Sequence, residues 1–135
     1  MLRTRELLDS MTTRPTLSSD HRAAAIEAMQ DCIEAVTACA AAMLTEDDVA
    51  TLAPAVNRDM DCADVVTAAL NVLTRAGGPD SSLLSSQLEA CLLACERSHE
   101  LCDRHAAHHT HCRMCADATK QCADACRQAL NALHA

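Results

Sequence analysis

Two stretches decide the fold: CLLACERSHELC, from Cys91 to Cys102, and CRMCADATKQCADAC, from Cys112 to Cys126. Within them Cys91 and Cys95 are four apart and Cys95 and Cys102 seven. Cys112 and Cys115 are three apart, Cys115 and Cys122 seven, and Cys122 and Cys126 four. At about 100° per residue, steps of three, four and seven return to one face of an α-helix. Cys32 and Cys39, also seven apart, repeat the pattern upstream. The same face carries Met29, Val36 and Met43 beside Cys32 and Cys39, and Ala55, Val66 and Leu73 beside Cys62. It carries Leu88, Ser98, His105 and His109 beside Cys91, Cys95 and Cys102, and Thr119 beside Cys115.

The rest of the composition agrees with helices. The 135 residues suit one domain, 1–135. Only two Gly and three Pro interrupt a chain rich in Ala, Leu, Glu, Gln, Arg and Met. No run alternates with period two, so no strands are expected. A short helix over residues 2–12 precedes Pro15. Ser18-Ser19-Asp20 then offers a capped start for a long helix to Met43. Pro54 suits the first turn of a second, running to Arg75, and Ala76-Gly77-Gly78-Pro79-Asp80 is the clearest break. Helices over Ser82–His108 and Thr110–Leu133 follow. The expected architecture is all-α: an antiparallel up-down-up-down four-helix bundle, about 19–133, with a short extra N-terminal helix.

Half of the residues are hydrophobic, yet none is Phe, Tyr or Trp. Cores of this size normally draw volume from aromatic rings, so ten cysteines are candidates to fill the space with or without a guest. A formal net charge of −8 and the lack of a basic stripe argue against nucleic acid as a partner. No window nears 18 uninterrupted apolar residues, which argues against a membrane role. The first ten residues carry charges throughout and no apolar signal core, so a cytoplasmic location is expected. In a reducing compartment ten cysteines are thiols and potential metal ligands, not a disulfide scaffold.

Antiparallel packing sorts the sulfurs by height. Cys39, Cys62, Cys102 and Cys115, each near the loops at one end, are expected to share a layer. Cys32, Cys95 and Cys122 are expected to form the next, with Val66 as fourth member, and Cys91 and Cys126 to lie deeper. Soft thiolates select Cu(I), Zn(II) or iron–sulfur clusters. Structural zinc takes four ligands from close pairs, and only Cys112 and Cys115 have that spacing. Iron–sulfur clusters gather ligands from loops. Sulfurs spread along four rigid helices fit multiple Cu(I) ions, and the thioethers of Met29 and Met43 point the same way.

These residues resemble the cytosolic copper storage proteins, a family of cysteine-rich four-helix bundles. The resemblance covers roughly residues 20–132. The family's helix-three pattern of Cys at relative positions 0, 3, 7, 10 and 14 falls on Leu88, Cys91, Cys95, Ser98 and Cys102. Its helix-four pattern falls on Cys115, Thr119, Cys122 and Cys126. Ala25 to Cys32 and Met60-Asp61-Cys62-Ala63-Asp64 are similar to its motifs on helices one and two. Leu88, Ser98, Thr119, Met29 and Val66 stand where the family often has Cys. The resemblance implies Cu(I) storage inside the bundle and a homotetramer of bundles. A copper chaperone or other Cu(I) donor or acceptor is the expected protein partner.

His105, His108, His109 and His111 cluster where helices three and four join, at the same end as Met43 and Asp61. Imidazole and thioether there can capture Cu(I) and pass it inward by ligand exchange. The expected metal residues are therefore the ten cysteines with Met43, Asp61, His105, His109 and His111. His21 is expected on the inner side of its helix, and His99 and His134 at the surface. Glu96 and His99 have the Glu-x-x-His spacing of di-iron bundles, but Glu96 lies about 140° from the cysteine line. No catalytic constellation emerges, and the chain is read as a non-enzyme. The rival readings are a thiol redox sensor or enzyme using Cys112-x-x-Cys115, a zinc or mixed-metal buffer, and a scaffold whose cysteines merely pack.

Overall fold

The computed structural model describes residues 3–11, 17–75 and 80–135. Five helices follow one another: α1 (Thr4–Asp9), α2 (Ser19–Met43), α3 (Val49–Arg75), α4 (Ser82–His105) and α5 (Thr110–Leu133). There are no strands among the described residues. The α2–α5 helices form a square in which α2 packs on α3 and α5, and α4 packs on the same two. The short α1 lies against α2 and buries Leu8. The Gly-Gly-Pro break and the ends of the expected first helix lie outside the described residues.

Local chemistry accounts for the boundaries. Ser18, in extended backbone, caps α2 by accepting from the His21 backbone N–H at 3.3 Å, and Asp20 occupies the first turn. The α3 helix differs from expectation, beginning at Val49 and not at Pro54. The backbone carbonyl of Asp48 accepts from Thr51 and Leu52, at 2.9 and 3.2 Å, to start it. Burial of Leu52 and Ala55 rewards the extra turn. Pro54 thus sits inside the helix and costs it one hydrogen bond. The α4 helix stops at His105, three residues early, and His109 adopts extended backbone (φ −135°, ψ 120°) before α5. Its carbonyl then accepts from the N–H of Cys112 and of Arg113.

The core holds no aromatic ring. Leucine, valine, methionine, alanine and all ten cysteines fill it, and every cysteine is free. At the end remote from the histidines, Arg22 is 1% exposed and its Nη2 donates to the Leu73 and Thr74 carbonyls, at 3.3 and 2.8 Å. It caps the last turn of α3 with a buried cation. The inward position near the start of α2 belongs to Arg22; His21, expected inside, is exposed.

Candidate metal centre

The helical period delivers the sulfurs to the axis. All ten cysteines are no more than 1% exposed, and their contacts run as a column. Near the α4–α5 junction, Cys39 Sγ lies 3.9 Å from Cys112 Sγ, and Cys102 Sγ lies 3.2 Å from Cys115 Sγ. Deeper, Cys32, Cys62 and Cys95 are mutually 3.8–4.0 Å apart. Cys122 joins Cys32 and Cys95 within 4.8 Å, and also joins Cys91 and Cys126, whose sulfurs are 3.2 Å apart.

The layering differs from expectation at one corner. Cys62 lies with Cys32 and Cys95, not with Cys39, Cys102 and Cys115, and Asp59 occupies its expected place. The early start of α3 explains the shift. Cys39 is four residues from the end of α2, whereas Cys62 is thirteen residues into α3. The α3 member that meets Cys39 is Asp59, three residues upstream of Cys62.

Asp59 is 0% exposed. Its Oδ1 accepts from Ser98 Oγ at 2.6 Å and lies 3.2 and 3.3 Å from the sulfurs of Cys102 and Cys115. Its Oδ2 has no protein partner. Three sulfurs and one carboxylate oxygen, all within 4.8 Å, thus converge from four helices. Asp61, expected among the metal residues at the histidine end, is exposed on the outside of α3. Two residues on a helix turn about 200°, so Asp59 and Asp61 cannot share a face.

Residues 18–131 match the copper storage protein family. The chain belongs to that family. Among solved structures it is 39% identical to the copper storage protein Ccsp from Streptomyces lividans, loaded with 10 copper equivalents. That match covers 95% of this chain and 98% of the other, with a TM-score of 0.91. A second structure of the Streptomyces lividans cytosolic copper storage protein, with five coppers, is 43% identical over 83% of this chain and 93% of that one, at TM-score 0.81. A histidine-to-alanine variant of Ccsp is 41% identical over 87% and 98%, at TM-score 0.84. No curated protein matches the chain.

Within this family fold, the electrostatics of the column favour a cation. Hydrogen bonds from Cys115 and Cys39 pull the Cys102 thiol below its ordinary range, and both donors are pushed up. Bonds from Cys126 and Cys32 likewise lower Cys122. Burial, reinforced by Cys102, pushes Asp59 up to about 8. Both shifts favour negative charge on the Cys102 sulfur over the Asp59 carboxylate. Soft anionic sulfur in a dry site is a ligand for a soft monovalent ion.

The mouth of the column is built by His109, His111 and the turn before α3. His111 Nδ1 lies 3.4 Å from Cys39 Sγ and 3.5 Å from Cys112 Sγ, while Nε2 lies 3.0 Å from Glu46 Oε1. His109 stacks on His111 with ring centroids 5.2 Å apart, and its Nε2 lies 3.2 Å from Asp48 Oδ2. Met43 is fully buried at this end. His105 is half-buried and close enough to Asp48 to help hold that carboxyl low, after the larger effect of His109. His105 lies outside the groups of converging His, Cys, Asp and Glu ligand atoms. His108 and His134 are exposed; His99, expected at the surface, is half-buried, its Nδ1 2.8 Å from the Ala116 carbonyl.

Sequence reasoning missed Asp59, Glu46 and Asp48. Asp59 was recoverable, because it stands three residues before Cys62 and four after Ala55 on one helical face. Glu46 and Asp48 carry no such signal, since only the fold brings their turn to the histidines. Glu96, the di-iron decoy, pairs with Arg127 at 3.0 Å across α4 and α5.

Proposed function

We propose that the protein stores several Cu(I) ions as thiolate complexes along the axis of its bundle, for sequestration, detoxification or supply in the cytosol. The observation that carries this reading is the inward burial of all ten unpaired sulfurs. Their separations of 3.2–4.0 Å suit bridging by a two- or three-coordinate ion. The ten cysteines are the ligands, with Asp59 as a carboxylate partner of the outer group. His111, steered by Glu46 in the manner of a carboxylate–histidine pair, is the first inward ligand, and His109 with the acidic rim collects cations. Met43 and His105 flank this mouth, and Asp61 has no part in it.

The chain acts by coordination and not by turnover. Burial pushes Cys112 up to about 11, which makes it a poor nucleophile. Its nearest sulfur is that of Cys39, while Cys115 faces Cys102. The Cys112-x-x-Cys115 pair is thus split between different neighbours, against a redox motif. The whole chain works as one domain. A homotetramer is proposed from the family resemblance, with the exposed Leu83, Leu93 and Met60 as apolar surface to cover. A copper chaperone is the proposed donor, and the cytosolic description of the Streptomyces lividans relative supports the compartment.

Titration of the reduced protein with Cu(I) against a competing chelator tests the reading. Several ions per chain are expected. Uptake of one ion or fewer sinks it, and elemental analysis after growth with both metals separates copper from zinc.

A further inference from the structure

A set of donors without sulfur stands at the mouth, outside the thiol column. The turn before α3 presents Glu46, and the start of α5 presents His109 and His111. One ligand atom from each lies within 4.8 Å of the other two. Glu46 Oε1 is 3.0 Å from His111 Nε2 and 3.6 Å from His109 Nδ1. With metal–ligand bonds of about 2.0–2.1 Å, a tetrahedral ion holds its donors about 3.4 Å apart, and the two spacings bracket that value. The rings are stacked, with an angle of 22° between their planes. Bringing both nitrogens onto one ion therefore takes a turn of the His109 ring out of the stack.

The hydrogen bonds around His109 prepare it for a cation. Its Nε2 lies 3.2 Å from Asp48 Oδ2. When that nitrogen carries the N–H and donates it, the neutral ring turns the lone pair of Nδ1 toward the Glu46 carboxylate. Two acceptors then face each other across 3.6 Å, beyond hydrogen-bond reach and spaced for an ion between them. Asp48 is at the same time the outer carboxylate that commonly orients a metal-binding histidine. Two imidazoles and a carboxylate are a harder donor set than the thiolates beneath, suited to Zn(II) where the thiolates suit Cu(I).

We propose that Glu46, His109 and His111 form a second metal site, for a divalent ion of the Zn(II) class, and that its occupation closes the copper inlet. The site is independent of what the thiols hold, whereas closure of the inlet rests on the storage reading above. His111 couples the two, because its ring has one nitrogen on each side. With the divalent ion on Nε2, the ring proton moves through solvent to Nδ1, which lies 3.4 Å from Cys39 Sγ and 3.5 Å from Cys112 Sγ. That nitrogen then presents an N–H to the sulfurs and has no lone pair for Cu(I).

Copper-loaded protein, its thiols already taken, is titrated anaerobically with Co(II), a spectroscopic stand-in for Zn(II). One Co(II) per chain is expected, with visible ligand-field bands, no sulfur-to-cobalt charge transfer, and displacement by Zn(II). His109→Ala should abolish the bands, and Asp48→Asn should weaken binding about 10- to 100-fold. In the same loaded protein Zn(II) should slow copper release to excess bathocuproine disulfonate severalfold, and it should have no such effect on His109→Ala. Absence of cobalt bands would leave His109 a plain bridge between Glu46 and Asp48 and overturns the site. Sulfur charge-transfer bands, or unaltered binding by His109→Ala, overturn it equally. Zinc bound without slower release overturns closure of the inlet. Protein that takes up one Cu(I) or fewer fails the storage reading before cobalt is added, and the cobalt bands then decide the site in the copper-free chain.

Discussion

His111 presents its Nδ1 to the Cys39 sulfur at 3.4 Å, joining the wet mouth of the bundle to its dry thiol column through one ring. The opposite nitrogen is held by Glu46 at 3.0 Å. When Nε2 carries the proton and donates it to Glu46, Nδ1 keeps a lone pair aimed at the sulfurs.

Removing that steering carboxylate is expected to slow copper capture while leaving capacity intact. Glu46→Ala should cut the rate of Cu(I) uptake about 10- to 100-fold, the usual cost of losing an outer partner of a ligating histidine. Stopped-flow transfer from a weak Cu(I) chelator measures it. An unchanged rate would mean that the ring is fixed by stacking on His109 alone.

Asp59 makes the stability of the metal-free protein depend on pH. Its folded value of about 8 lies above the unfolded carboxylate range near 3.9. The native state thus holds this proton more tightly, and its contribution is complete below pH of about 4. It is lost as pH rises through about 8. Wild-type apoprotein should lose more melting temperature between pH 5 and 9 than Asp59→Asn does. Calorimetry of both proteins under reducing conditions supplies the comparison; parallel curves contradict it.

Copper should stabilise the fold strongly, because unfolding scatters ligands that four helices bring together. A native-only ligand at 100 times its dissociation constant adds about 2.7 kcal/mol. Several tightly held ions should therefore raise the melting temperature by roughly 10 °C or more. No rise on adding Cu(I) would favour cysteines that merely pack.

At the closed end, Arg22→Leu should destabilise the apoprotein by about 1–3 kcal/mol, since the Leu73 and Thr74 carbonyls lose their donor in a dry site. Copper capacity should be unchanged, as the Arg22 guanidinium bonds to the Leu73 and Thr74 carbonyls and to no cysteine. Urea denaturation and metal titration of the variant test the two halves of this statement.

Much of this was legible in residue spacing. The three-four-seven pattern of cysteines sends Cβ atoms to one face whatever the helices pack against, and Ser18 marks the start of α2 by local capping. Heights along the bundle were not legible, because they depend on where each helix begins. Pro54 pointed to a late start for α3, yet burying Leu52 and Ala55 outweighed one lost hydrogen bond. The shift moved Cys62 inward by a turn and put Asp59 among the sulfurs. Asp61 was a reasonable candidate by position in the chain, and it faces solvent because two residues of helix turn it away.

Helical periodicity and the absence of aromatic rings, both properties of the chain alone, made an all-α bundle with an inward stripe of thiols the consistent reading, since side-chain direction within a helix is a local matter. Tertiary packing decided which donors meet: Asp59 with Cys102 and Cys115, Glu46 with His111, and one group of sulfurs apart from the other. Those pairings join residues from different helices, and their relative heights follow from burial summed over the whole core, which no local spacing encodes.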